Sequence, residues 1–316
     1  MELPFNIDKQ FITYPFNCVY LGILEAAGYN IDNIILREYM HLVSYITSRG
    51  NFRITVRGSG RIKNNRFDVE YIKSKLSIEF IKEALKNGYY LFLFLNEKHI
   101  SNHSINQKKD YYHDWLIYGF NDNTNMFKCA GYVGENVMYR IFKTVEIPYS
   151  DVVCAANNVP IEHKIKSQSE NHLFLINYSP NNDYIDDDRI IEELRVVFGL
   201  KKKKLKRTIK EHYNEKALNR FRLYILLSYI IHKKSISLTN VRMIYEHMQA
   251  LRIALQRISN NYELINRYDL LIKKQYKLVL ISMKYNITRD KRILIRLYKE
   301  SLYIKKNEKE VFKKIL

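Results

Sequence analysis

The chain changes its hydrophobic pattern once, at Asn181-Asn182-Asp183-Tyr184-Ile185-Asp186-Asp187-Asp188, and that change calls for two domains. Ahead of this run, helix-like and strand-like patterns alternate. After it every pattern is helical. The run itself is polar and acidic and follows neither the strand nor the helix period. The reading is an N-terminal domain over 1–180 and an all-helical domain over 185–316. Charge divides at nearly the same place. Residues 201–316 hold 30 Lys and Arg against 9 Asp and Glu, whereas residues 1–200 hold 22 and 24. A surface that basic concentrates polyanions by long-range attraction, so the partners to consider are an acidic protein, an anionic membrane surface or nucleic acid.

The first strong element is Cys18–Ala27, apolar nearly all round and so a buried helix, with Asn17 as its expected cap and Gly28 as its stop. Residues 68–87 read as a further helix ended by Gly88. Tyr89–Leu95 is apolar without a break, the signature of a strand covered on both faces. Residues 113–120, the polar stretch Asn121–Asn125 and residues 126–132 read as strand, turn and return strand. A strand over 137–142, a short helix over 150–157 and a strand over 172–176 complete the domain. Helical elements followed by an antiparallel sheet argue an α+β fold. In the second domain Val241, Ile244, Met248, Leu251, Leu255 and Ile258 recur at spacings of three and four and form one packing stripe. Lys201–Lys210, with seven basic residues in ten, reads as a solvated helix face or flanking loop.

No apolar run is long enough to span a membrane, and the first residues lack a secretory pattern. Cys18, Cys129 and Cys154 have no metal-type spacing, so reduced thiols in a cytoplasmic protein are expected. His99 and His103 have H-x3-H spacing, but no Cys or carboxylate cluster completes a zinc set. No phosphate-cradling glycine loop is present, so neither metal nor cofactor is expected.

Cys18 is set to open a buried helix, where unpaired first-turn amides favour a thiolate. His113 opens a strand and shares its face with Trp115 and Ile117. Taken singly, each is more often a structural residue. Together, a cysteine opening an early helix and a histidine opening a later strand have the order in which papain-like folds supply nucleophile and general base.

The residues that carry the comparison further are Asn17-Cys18-Val19-Tyr20-Leu21, the strand over 88–95, His113-Asp114-Trp115-Leu116-Ile117-Tyr118-Gly119-Phe120-Asn121-Asp122 and Ile147-Pro148-Tyr149-Ser150-Asp151. Over roughly 10–160 the chain resembles the family of the butirosin biosynthesis protein H N-terminal domain, which is related to the double-glycine leader peptidases. Tyr245-Glu246-His247 is similar, more weakly, to helical tails that follow such domains. The resemblance implies a papain-like cysteine-protease fold ahead of the helical domain. It also implies an acyltransferase in natural-product biosynthesis: Cys18 takes an acyl group from a carrier-protein thioester, and His113 as general base helps pass it to the amine of a small molecule or peptide. The partner so implied is an acidic acyl-carrier protein, which would suit the basic domain.

The chain departs from the family at the group that orients the imidazole. An Asp is usual on the return strand, and a hairpin apex at 121–125 puts the matching position near 131–133, where Gly131, Tyr132 and Val133 stand. Asp122 is about 30 Å away along the strand, and Asp114 points to the opposite face. Glu135 or Asn136 would reach only across a bulge. At the usual place of the oxyanion-hole Gln stands Ile12, which leaves Gln10 or the Asn17 side chain, helped by the Cys18 amide. Loss of the orienting group slows the best-studied triad about 10⁴-fold. The rival readings are therefore a catalytically impaired interaction protein with this fold, a cysteine peptidase or hydrolase using the same chemistry with water, and, less favoured, a nucleic-acid-binding protein.

Overall fold

The computed structural model describes residues 1–7, 11–47, 51–56, 66–101, 110–134, 141–160, 171–201, 212–213, 217–219, 221–222, 225 and 235–316. The chain is α+β with a helical C-terminal region. In chain order the elements are α1 (Pro15–Ala26), α2 (Asp32–Tyr39), β1 (Leu42–Ile46), β2 (Phe52–Val56), β3 (Phe67–Tyr71), α3 (Ile78–Lys86), β4 (Tyr90–Asn96), β5 (Tyr112–Asn121), β6 (Met126–Val133), β7 (Ile141–Pro148), α4 (Tyr149–Asn157), β8 (His172–Ile176), α5 (Asp187–Val197), β9 (His212–Tyr213), α6 (Leu238–Ile258), α7 (Tyr262–Thr288) and α8 (Lys291–Lys313). They form two compact units, Met1–Ile31 with Gly60–Pro180, and Asp32–Ser59 with Asn181–Leu316.

The first unit is built on a six-stranded antiparallel sheet in the order β3-β8-β4-β5-β6-β7. Strand β4 is buried along its whole length because both faces are covered. Leu91, Leu93 and Leu95 join Trp115 and Ile117 of β5 in one cluster with Ile81 and Leu85 of α3 and Val152 and Ala155 of α4. On the opposite face Tyr20 of α1 meets Phe67, Phe92 and Phe174 at ring separations of 4.8, 6.3 and 5.1 Å. The period-two alternation of a strand thus divides two helical layers.

Two local expectations are corrected here. Residues 68–87 are not one helix. Phe67–Tyr71 pairs with β8, from Phe67↔Ile176 to Tyr71↔His172, and the helix begins only after Ser77, whose hydroxyl accepts from the Phe80 N–H at 3.1 Å. Spaced charges on a half-solvated strand imitated a helix face. Helix α1 begins at Pro15 and not after Asn17, because proline lacks the N–H that a first helical residue cannot use and already has a helical φ. Its end agrees with the sequence: Gly28 lies at φ 84°. The strand expected over 137–142 is seen as β7 from Ile141, and 137–140 lie outside the described residues.

The second unit is not all-helical, and it takes in residues expected in the N-terminal domain. Strands β2-β1-β9 form a small antiparallel sheet. Segment Asp32–Ser59 belongs here because its polar groups are satisfied here. The Asn240 side chain of α6 accepts from the Ile54 N–H at 2.9 Å and donates to the Phe52 carbonyl at 3.2 Å. The His41 Nε2 meets Glu193 of α5 at 2.9 Å, and the His247 Nδ1–H donates to the Tyr39 carbonyl at 2.9 Å. The expected linker is tied in as well: Arg37 pairs with the buried Asp183 at 3.2 Å, and Asp186 caps α5. Of the α6 stripe, Val241, Ile244, Met248, Leu251 and Leu255 are buried and Ile258 is half-buried. Helix α6 packs on α2 and α7, and α7 on α8.

Asn240 carries a large share of this arrangement. Asn240→Ala should destabilise the second unit by about 1–3 kcal/mol, since it removes the side-chain acceptor of the buried Ile54 N–H. A drop in urea midpoint followed by circular dichroism checks this, and an unchanged midpoint would show that β2 is held by something else.

Candidate active site

Because α1 starts at Pro15, Cys18 is its fourth residue and not its first. The N–H groups of Asn17 and Cys18 both donate to the Tyr14 carbonyl at 3.1 Å. The Cys18 amide is therefore committed to the helix and is not the oxyanion donor expected of it. The Cys18 side chain is 0% exposed. Asn17 is not a cap: α1 has no side-chain cap, and the Asn17 side chain is 1% exposed with neither Oδ1 nor Nδ2 hydrogen-bonded.

His113 is the second residue of β5, opposite Leu95 of β4, and is half-buried. Its Nδ1 is 3.3 Å from the Asp114 carbonyl oxygen. Its ring stacks on Tyr111 with centroids 6.2 Å apart and meets Tyr132 of β6 edge-on at 5.4 Å. The Tyr132 hydroxyl donates to the Ile12 carbonyl, in the segment that leads into α1. Helix α1 itself packs against β5 and β6. Tyr132 thus joins the corner where β5 opens to the corner where α1 opens. Strand periodicity did not single it out.

The hairpin register places 131–133 relative to His113 and Trp115. Strands β5 and β6 pair from Leu116↔Ala130 to Asn121↔Met126 with an irregularity between Ile117 and Gly119, and continuation of Leu116↔Ala130 sets 113 against 133. Between them, the Trp115 indole lies on Gly131. A Cβ added at 131 would stand 2.5, 2.6 and 2.9 Å from three indole carbons. The position where a carboxylate was sought is filled by an aromatic ring.

The carboxylate on this face is Glu97, which the sequence reading did not single out. It follows β4 in a short 3₁₀ turn, its N–H donates to the Tyr111 carbonyl at 2.8 Å, and its Oε1 accepts from the Trp115 indole N–H at 3.1 Å. Glu97 thus bonds to the residues two before and two after His113, Tyr111 and Trp115. Glu97 is buried.

On the α1 face, the Tyr20 hydroxyl and His172 Nε2 are 2.8 Å apart, and both residues are buried. Burial pushes the Tyr20 phenol above its ordinary range, and the nearby Asp114 charge adds to the shift. Asp114 accordingly stands on the face away from Trp115. Cys129 is enclosed in the α3–α4 cluster, where burial holds its thiol well above the usual range, and Cys154 is exposed.

Gln10, Glu135, Asn136 and His103 lie outside the described residues, as do 202–210. Among the described residues no group of three His, Cys, Asp or Glu side chains could hold a metal ion, and no helix is long and apolar enough to cross a membrane. Compared with known proteins, the chain matches no family model and no curated protein.

Proposed function

We propose that the first unit is a papain-like domain that transfers acyl groups through Cys18, with His113 as its base. The observation that supports this most is that Tyr132, whose ring meets His113 edge-on, donates its hydroxyl to the carbonyl of Ile12, six residues before Cys18. In this reading His113 takes the Cys18 proton as sulfur attacks a carrier-bound thioester, and returns it to the departing carrier thiol. The acyl-enzyme is then attacked by an amine, whose proton passes through His113 back to Cys18. The unpaired Nδ2 of Asn17 would supply a hydrogen bond to the oxyanion, and Glu97 would replace the missing Asp as the group that holds the imidazole. The acyl donor would be an acidic carrier protein, and water in place of the amine would give a hydrolase.

A second reading, a non-catalytic interaction protein with this fold, is favoured by one specific pair of facts. Cys18 is enclosed, and Trp115 occupies the orienting position.

One experiment separates the two. In a Cys154→Ala background, which removes the exposed thiol, the protein is incubated with a short acyl thioester of N-acetylcysteamine and its intact mass followed. Acyl transfer predicts a single adduct that is absent in Cys18→Ala and forms about 10²–10⁴-fold more slowly in His113→Ala, and more slowly in Glu97→Gln. Modification of Cys18 only at the rate of global unfolding would reject catalysis and leave the interaction reading.

A further inference from the structure

The outward side of α7 and α8 in the second unit is both basic and apolar. The two helices carry 13 Lys and Arg against 5 Asp and Glu. Two of those acids are engaged within the fold, Asp269 by Arg252 and Glu310 by Arg267. Lys273, Lys277, Lys284, Arg296, Lys299 and Lys306 are all exposed. Among them stand large apolar side chains that are exposed too: Leu270, Leu280 and Ile287 of α7, and Ile295 and Leu302 of α8. The faces of the two helices adjoin, since the Lys274 Nζ sits 3.9 Å from the centre of the Tyr303 ring.

Single exposed apolar residues are ordinary, but these are arranged. At about 100° per residue, Tyr276, Leu280 and Ile287 fall on one strip of α7 and Lys273, Lys277 and Lys284 on the strip beside it, over about 25 Å from 270 to 287. Charge and apolarity together restrict what can cover such a face. A second copy would set lysine against lysine. Nucleic acid would use the lysines but gain little from leucine and isoleucine. The interface of an anionic bilayer satisfies both strips, because ammonium groups reach the headgroup phosphates while aliphatic side chains enter the boundary with the acyl chains.

We propose that the α7–α8 face is a peripheral docking surface for bilayers rich in anionic phospholipid. It does not depend on the acyl chemistry proposed above, and its test reads binding alone. The full chain is sedimented with vesicles of phosphatidylcholine, with or without about one-third phosphatidylserine, at near-physiological salt. Binding is expected with phosphatidylserine and not without it. Lys277→Gln with Lys284→Gln should weaken it roughly twentyfold, and Leu280→Gln with Ile287→Gln about tenfold or more. Lys73→Gln with Lys75→Gln removes the same charge from exposed positions of the first unit and should leave it unchanged. Failure of the unaltered protein to bind anionic vesicles would overturn the proposal. So would equal weakening by the Lys73 and Lys75 changes, or binding indifferent to Leu280 and Ile287, since either reduces it to net charge. Single-stranded RNA or an acidic carrier protein held by the α7 lysines, with vesicles ignored, would overturn it as well.

Discussion

Gly131→Asp, which puts a carboxylate on the return strand near His113, should strongly destabilise the first unit and not activate Cys18. The added Cβ meets rigid indole carbons of Trp115 at 2.5–2.9 Å, and the ring cannot swing away because it is 0% exposed and its N–H is held by Glu97. Overpacking of this kind costs about 1–3 kcal/mol, and a carboxylate forced into the same buried space adds about as much again. A loss of about 2–6 kcal/mol is a large part of the stability of an ordinary domain. Trp115 is the chain's one tryptophan, so its fluorescence during urea unfolding reports this unit directly. Gly131→Ala should shift the midpoint in the same direction by less. A Gly131→Asp protein with an unchanged midpoint and faster acylation of Cys18 would mean that the ring yields and that a carboxylate at 131 assists the thiol.

The second unit should show a pH dependence that a single substitution uncovers. Burial pushes the Glu308 carboxyl up to about 7 from an ordinary 4.5, against the opposing effects of the Tyr268 hydroxyl, Arg222 and Lys305. Burial pushes the His247 imidazole down to about 4 from 6.5. For Glu308 the folded state binds more protons between about pH 4.5 and 7, so stability falls as pH rises through that window. For His247 the unfolded state binds more protons between about pH 4 and 6.5, so stability rises with pH there. Each shift corresponds to about 3 kcal/mol. The slopes are opposite and the windows nearly coincide, so the two contributions nearly cancel over about pH 4.5–6.5 in the unaltered protein. Glu308→Gln keeps an acceptor for the Tyr268 hydroxyl, which lies 2.7 Å from Oε1, and removes the titration. Relative to the unaltered protein it should gain about 3 kcal/mol between pH 4.5 and 7. Urea unfolding followed by far-ultraviolet circular dichroism at several pH values reads the difference, in which other titrating groups cancel. Parallel profiles would mean that Glu308 ionises as an ordinary carboxylate.

What could be read in advance was local. The run Tyr89–Leu95 announced a strand buried on both faces, and β4 has both faces covered. The 121–125 turn set the β5–β6 hairpin, and the register of Leu116 on Ala130 points His113 at 133, where the sequence had placed its opposite. The six residues spaced by threes and fours chose the seam of α6. Where local signals competed, the reading failed. Asp68, Glu70, Lys73 and Lys75 imitated a helix face, although the alternation of Phe67, Val69 and Tyr71 decided for a strand once β8 was there to pair with it. Asn17 is a good cap by composition, yet Pro15 two residues earlier decided the start of α1 and moved Cys18 inward by almost a turn.

The sequence by itself determined β4, the β5–β6 hairpin, the seam of α6 and the basicity of the last third, because periodicity, turns and charge act over a few residues. It also showed that no carboxylate stands at 131–133. Only the tertiary structure decided what stands nearby, since Trp115 on Gly131, Glu97 beside Trp115 and Tyr132 on Ile12 are meetings between residues distant in the chain. The same holds for Asp32–Ser59, whose place in the second unit depends on Asn240 and His247 about 190–210 residues away. A buried polar group must find its partner wherever packing brings one, and no local pattern records which partner that will be.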